Sequence, residues 1–142
     1  TGSSRRFQLI GKMPCGATVV DDYAHHPNEM KATLTTAREM RFDRILCAFQ
    51  PHTYTRTKAL FPEFVEALKL CDQAVLAPIY AAREQNTVGV YASDLAEEVP
   101  GAVAFDSFAE IAAYLRREAG PNDLVITMGA GNINEVGPML IR

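Results

Sequence analysis

The sequence predicts an α/β fold: an open, mostly parallel sheet, doubly wound with helices on both faces and entered through an N-terminal β-hairpin. Three observations predict it. Short β-rich runs alternate with amphipathic stretches of helical period. A turn signal, Pro14-Cys15-Gly16, separates two such runs near the start. Polar clusters follow the apolar runs on their C-terminal side, where an open parallel sheet gathers its ligand-binding loops.

Taken in order, residues 7–13 and 17–21 form the hairpin. Pro27 suits the first turn of a helix whose stripe is Met30, Leu34 and Ala37. Residues 45–49 read as a buried strand, and residues 55–70 as one helix burying Leu60, Phe61, Phe64, Val65 and Leu68. A strand over 74–79 follows, then a short helix to Glu98 capped by Ser93, then a strand over 102–105. Ser107-Phe108-Ala109-Glu110 has the capping-box form, ahead of a face made by Phe108, Ile111, Ala112 and Leu115. Residues 123–128 are the last strand, and Gly129-Ala130-Gly131-Asn132 opens a final helix. With no internal repeat or charge block, residues 1–142 are expected to form one domain.

Composition narrows the function classes. The chain has 142 residues, 48% apolar and 22% charged, in the range of an ordinary globular domain with a core. A net charge of -3 and a pI near 5.6 provide no general footprint for nucleic acid. No apolar run reaches the roughly 20 residues a bilayer requires, and the N-terminal TGSSRRF lacks a signal-peptide core, so no membrane partner is expected. Cys15, Cys47 and Cys71 are odd in number and follow no C-x-x-C or Cys/His finger spacing, and the apolar setting of the last two fits a reducing cytoplasm.

Four clusters fall at C-terminal strand ends: Asp21, Asp22, Tyr23, His25 and His26; then Gln50, His52, Tyr54 and Arg56; then Tyr80, Arg83 and Glu84; then 129–132. Asp21-Asp22 can be a turn whose carboxylates bind backbone amides, or part of a site. Adjacent histidines point in different directions, so no metal is assigned to His25-His26, and one of them suits a helix cap. The segment 52–57 is either a solvated helix start or an anion clamp of backbone amides and a guanidinium. Gly129-Ala130-Gly131 is no dinucleotide fingerprint, because Asn134 stands where the third glycine belongs. A phosphate loop of the form G-x-x-x-x-G-K-[ST] is missing, so this chain does not hold ATP phosphates in that way.

In order, RRFQ (5–8), DDYAHHPNE (21–29), FQPHTYTRT (49–57) and MGAGNI (128–133) closely resemble the C-terminal, Rossmann-like domain of the Mur ligase family. DDYAHHP with FQPHTYTRT resembles two branches. One adds L-alanine to UDP-N-acetylmuramate, and the other recycles murein tripeptide. Tyr23, where the recycling branch looks more often to have phenylalanine, favours the first. The resemblance implies the third domain of a three-domain, ATP- and Mg2+-dependent ligase, inactive alone, with 2–7 as the hinge and a short final helix suiting an excised domain. It further implies that Arg6 reaches the ATP phosphates and Asp22 the ribose hydroxyls. His52, Arg56, Tyr23 and His25 would face the nucleotide-sugar and the alanine, with His25 and His52 as candidate bases for the amine. Relatives resemble one another in an arginine where Thr53 stands, which shifts weight to Arg56. A free-standing nucleotide- or anion-binding module is the alternative of another class.

Overall fold

A computed structural model describes residues 6–142; of the expected hinge at 2–7, residues 2–5 lie outside the described residues. The six strands are β1 (Gln8–Lys12), β2 (Thr18–Asp22), β3 (Ile45–Phe49), β4 (Gln73–Leu76), β5 (Val103–Ala104) and β6 (Leu124–Met128). They lie in the order β1-β2-β6-β3-β4-β5. β1 runs antiparallel to β2, and every other pairing is parallel. The helices are α1 (Pro27–Arg38), α2 (Tyr54–Ala59), α3 (Phe61–Leu68), α4 (Ala92–Glu98), α5 (Phe108–Glu118) and α6 (Val136–Leu140). The predicted α/β class, the hairpin and the mostly parallel sheet are all present.

Strand periodicity divides the core into two layers. Ile45, Cys47 and Phe49 point to one face with Val20, Leu124, Ile126 and Met128, under α1, α3 and α4. Leu46, Ala48, Val19, Val125 and Val75 point to the other, under α5 and α6. Every residue of β3 and β6 is buried, as expected of central parallel strands covered on both faces. Phe49 and Phe64 meet with ring centroids 5.7 Å apart, fixing α3 on β3. Truncating Phe64 to alanine is therefore expected to cost about 3–5 kcal/mol.

Four elements differ from expectation for local reasons. The single helix over 55–70 is two, because Pro62 has no N–H and its ring clashes with the carbonyl four residues earlier. Leu60 (φ -112, ψ 23) is the joint. Ser93 lies inside α4 rather than capping it: the Asp94 carboxylate reaches back to the Tyr91 N–H at 2.8 Å, so Tyr91 is the N-cap. β4 stops at Leu76, two residues before Pro78. The segment after β6 bends through Gly129 (φ +148) into a 3₁₀ turn, Ile133–Glu135, before α6 forms.

β6 is where the winding reverses. The loop after β6 leads to α6 on one face, while the loops after β2 and β3, its two neighbours in the sheet, lead to α1 and α2–α3 on the other. This topological switch opens a crevice at the C-terminal edge.

Candidate functional site

Asp21 and Asp22 are consecutive strand residues and so point to opposite faces. Asp21 accepts a hydrogen bond from Thr127 Oγ1 at 2.7 Å on the α5–α6 side. Asp22, 1% exposed, lies on the α1 side and accepts from Phe7 N (3.0 Å), Ala24 N (2.8 Å) and Thr33 Oγ1 (3.1 Å). The two carboxylates therefore do not form an acid/base pair. Arg6, with its side chain 42% exposed, places Nε 3.7 Å from Asp22 Oδ1 and a terminal nitrogen 3.9 Å from Glu29 Oε2. Arg6, Asp22, Phe7 and Thr33 line a shallow cavity of about 320 Å³.

His26 caps α1, its Nδ1 accepting from Asn28 N at 3.2 Å. Glu29 returns the contact: its Oε1 accepts the N–H groups of His25 and His26, both at 3.2 Å. Burial alone would raise the Glu29 carboxyl. The two amides, with the neighbouring His25 and Arg6 charges, instead hold it below the ordinary carboxylate value. The Nδ1 of His25 faces only acceptors, Tyr23 O at 3.2 Å and Glu29 Oε1 at 3.5 Å. Nδ1 therefore carries a proton, and Nε2 is the ring nitrogen left to face the crevice side.

Four rings cross the crevice. Tyr23 meets His25 edge-on at 5.5 Å, His25 lies 5.8 Å from His52, and His52 stacks on Tyr80 at 5.2 Å and 23°. Loops after β2, β3 and β4 thus touch one another, as the predicted convergence requires. The loop after β6 joins them through Gln50. The Gln50 carboxamide oxygen accepts from Asn132 N (2.9 Å) and Ile133 N (3.1 Å), and its nitrogen donates to Asn132 Oδ1 at 2.8 Å. A Cβ on Gly131 would lie 2.5 Å from Gln50 Oε1 and 2.7 Å from the Tyr80 ring, so only glycine admits this approach.

His52 Nδ1 is buried with no partner among the described residues. Burial first, then the charges of His25 and Arg56, push the His52 imidazole below its usual value, against an opposing pull from Glu84. Arg56 makes no ion pair among the described residues. The start of α2 is not open to an outside anion: Glu84 Oε1 already accepts from Tyr54 N (2.8 Å) and Thr55 N (3.2 Å), and Thr53 Oγ1 from Arg56 N (3.4 Å). The anion clamp expected there reduces to the Arg56 guanidinium.

The Mur ligase glutamate ligase domain model matches residues 5–131. The chain belongs to that Mur ligase domain family. It is 50% identical to the UDP-N-acetylmuramate–L-alanine ligase of Agathobacter rectalis over 99% of its own length and 31% of that protein. It is 47% identical to the ligase of the same name from Acetivibrio thermocellus over its whole length, again 31% of the relative. The chain thus spans about a third of the curated relatives it matches. The fold is that of the UDP-N-acetylmuramate–alanine ligase of Thermotoga maritima, with a TM-score of 0.76 at 24% identity, covering 96% of this chain and 29% of that one. A separately solved domain from a Haemophilus ducreyi protein described as a UDP-N-acetylmuramate:L-alanyl-gamma-D-glutamyl-diaminopimelate ligase matches at a TM-score of 0.73 and 23% identity, covering 96% of this chain and 97% of that one.

Among the residues that carry the Mur motifs, Tyr23, His25 and His52 come together, and Arg56 sits on the helix that follows His52. Arg6 and Asp22 form a second group beside α1. Glu29, Gln50, Tyr80 and Glu84 organise the site; the sequence placed Gln50, Tyr80 and Glu84 in the strand-end clusters and Glu29 in the motif 21–29, but not the partners they hold. For Glu29 a signal was present, since it stands three residues after the cap His26. For Glu84 its place in the third cluster was the signal, while its partners, 29 and 30 residues away, had none.

Proposed function

We propose that this chain is the C-terminal, nucleotide-closing domain of a three-domain, cytoplasmic ligase that joins L-alanine to UDP-N-acetylmuramate at the expense of ATP, a step of peptidoglycan synthesis. The observation that carries the reading is the ring-lined crevice beside Arg56, which has no ion pair among the described residues, on a chain 50% identical to one ligase of that name. The muramoyl carboxylate attacks the γ-phosphorus of ATP, giving an acyl phosphate and ADP. The alanine nitrogen then attacks the acyl carbon, and phosphate leaves from the tetrahedral intermediate.

Positioning and charge stabilisation dominate such a reaction. Arg56 holds the alanine carboxylate bidentately and aims the amine. His25, whose Nδ1 is engaged by Tyr23 O and Glu29, has Nε2 left for the amine proton and suits that role better than His52, whose Nδ1 is buried. Arg6 is the cation for the ATP phosphates: its contacts at 3.7 and 3.9 Å are long enough to exchange. Asp22, beside it in the same cavity, is the acceptor for the ribose, whose hydroxyls would displace donors it now binds, the Thr33 hydroxyl among them. Mg2+, when bound, neutralises the phosphate oxygens, and no group of three or more His, Cys, Asp or Glu among the described residues could hold it, so its ligands are assigned to the remainder of the enzyme. The isolated domain is expected to be inactive.

A phosphate-release assay on the full-length enzyme, comparing L-alanine with murein tripeptide, tests the reading. Alanine-dependent release supports it. Preference for the tripeptide assigns the chain to the recycling branch, and ATP binding by the isolated domain at micromolar affinity would return it to the free-standing module.

A further inference from the structure

α2 carries Arg56 and follows His52, yet it is six residues long. A helix that short has no stability of its own, so its placement depends on tethers. The tethers come from the loop after β4. Tyr80 N donates to Pro51 O and Thr53 N to Tyr80 O, both at 2.8 Å, forming a parallel bridge between His52 and Tyr80. The Tyr80 ring stacks on His52. Four residues on, Glu84 closes the first turn of α2, taking the amides of Tyr54 and Thr55 on one oxygen and the Thr55 hydroxyl at 2.5 Å on the other.

The strain in this region is held by the same bonds. Thr53 has φ +65, unusual for a β-branched residue, and is fixed by its N–H to Tyr80 and by its carbonyl, which accepts from Thr57 Oγ1 at 2.7 Å. Ala82 has φ +56 and turns the loop so that Glu84 comes back to α2. Beyond it, the Asn86 carboxamide closes the following turn onto Gly89 and Val90. The Thr55 hydroxyl first, with the two amides, holds the Glu84 carboxyl below its ordinary value, so it is an anion at neutral pH.

Both Glu84 oxygens are therefore committed to α2, and neither is paired with Arg56. Here the carboxylate fills the start of the helix and leaves the guanidinium for something else.

We propose that Glu84, braced by Tyr80, is a positioning residue that fixes α2 so that Arg56 and His52 meet the carboxylate of the incoming amino acid. The proposal deepens the ligase reading and rests on it. Because Glu84 occupies the amides at the start of α2, the substrate carboxylate is directed to the Arg56 guanidinium and the His52 ring rather than to the helix start, which sets where its amine lies.

The test uses Glu84→Ala and Glu84→Gln in the full-length ligase. Glu84→Ala should raise KM for L-alanine about tenfold, the scale of one charge-assisted hydrogen-bond group, with KM for ATP changed less than about twofold. Glu84→Gln, which keeps an acceptor for the amides, should recover most of that loss. A folded Glu84→Ala enzyme with unchanged KM for L-alanine, or one in which both KM values rise together, overturns the proposal. In this 142-residue chain, the same variant should shift the NMR signals of the Arg56 guanidinium and the His52 ring; unmoved signals overturn the positioning role. If the wild-type enzyme shows no alanine-dependent phosphate release, the ligase reading fails, and the NMR result still decides what Glu84 positions.

Discussion

The imidazole of His52 stacks on Tyr80 at 5.2 Å and 23°, while its Nδ1 is buried without a partner. Protonating that ring would place a second N–H in a position where nothing accepts it, beside the Arg56 charge and near His25. His52 is therefore a neutral imidazole at pH 7, and its pKa in the folded chain lies below the unfolded value near 6.5. The sign of the linkage follows. The unfolded chain binds the proton more readily, so this group's contribution to stability is complete above about pH 6.5 and is lost as pH falls through the folded value. Imidazole NMR should show His52 titrating below the free histidine range. A normal titration midpoint would refute the buried-Nδ1 assignment.

Arg56 should separate activity from stability. It is only half-buried and has no ion pair among the described residues, so Arg56→Ala should move the unfolding midpoint little. Loss of a bidentate carboxylate contact should lower kcat/KM for L-alanine in the full-length enzyme by roughly 100-fold, corresponding to about 2–3 kcal/mol. Chemical denaturation together with steady-state kinetics decides between the two. Equal losses in both would make Arg56 a structural residue.

Much of the fold was legible because burial writes it into the sequence. β3 matches residues 45–49 because a strand covered on both faces must be apolar throughout, and Pro27 and Ser107 marked helix starts by their own chemistry. The break at Leu60 depends on Pro62, visible in the sequence but outweighed by an apolar stripe that continues through both helices. The position of Asp94 displaced Ser93 as the residue that closes the start of α4. Motif residues Tyr23, His25, His52 and Arg56 were legible as a site, but their supports were not. Gln50 reaches a loop 82 residues on, and Glu84 a helix 30 residues back, and no local pattern predicts such a partner. Asp22 was legible as a residue of the site but not as a buried acceptor of three hydrogen bonds from its own chain.

Far from the site, Asp123 joins the start of β6 to Arg44. Its carboxylate, 3% exposed, accepts from an Arg44 terminal nitrogen at 2.8 Å and from Gly120 N at 2.7 Å. Burial alone would raise its pKa, but the Arg44 guanidinium and the Gly120 amide together hold it below the ordinary aspartate value. A depressed carboxylate stabilises the fold above its unfolded pKa, near 3.9, and that contribution is lost as pH falls through the folded value. Asp123→Asn should cost about 1–2 kcal/mol at pH 7, kept small because Arg44 is half exposed to solvent. The difference from wild type should narrow below about pH 4, as the wild-type carboxyl takes up its proton. Urea denaturation across that range measures it, and a constant difference would contradict the assignment.

Gly131 tests whether the four loops act as a unit. Its backbone presses between the Gln50 carboxamide and the Tyr80 ring, and an added Cβ would meet them at 2.5 and 2.7 Å. In Gly131→Ala either Gln50 releases the amides of Asn132 and Ile133, or Tyr80 withdraws from His52. Overpacking of this kind costs about 1–3 kcal/mol. Of the two neighbours, Tyr80 is the freer to move, being 37% exposed where Gln50 is 5% exposed and held by three hydrogen bonds. The variant should therefore stay folded, with the His52 ring signals shifted by loss of the stacked tyrosine. In the full-length enzyme KM for L-alanine should rise more than KM for ATP. Loss of stability with the His52 environment and both KM values unchanged would show that the loop after β6 is a spacer rather than part of the frame.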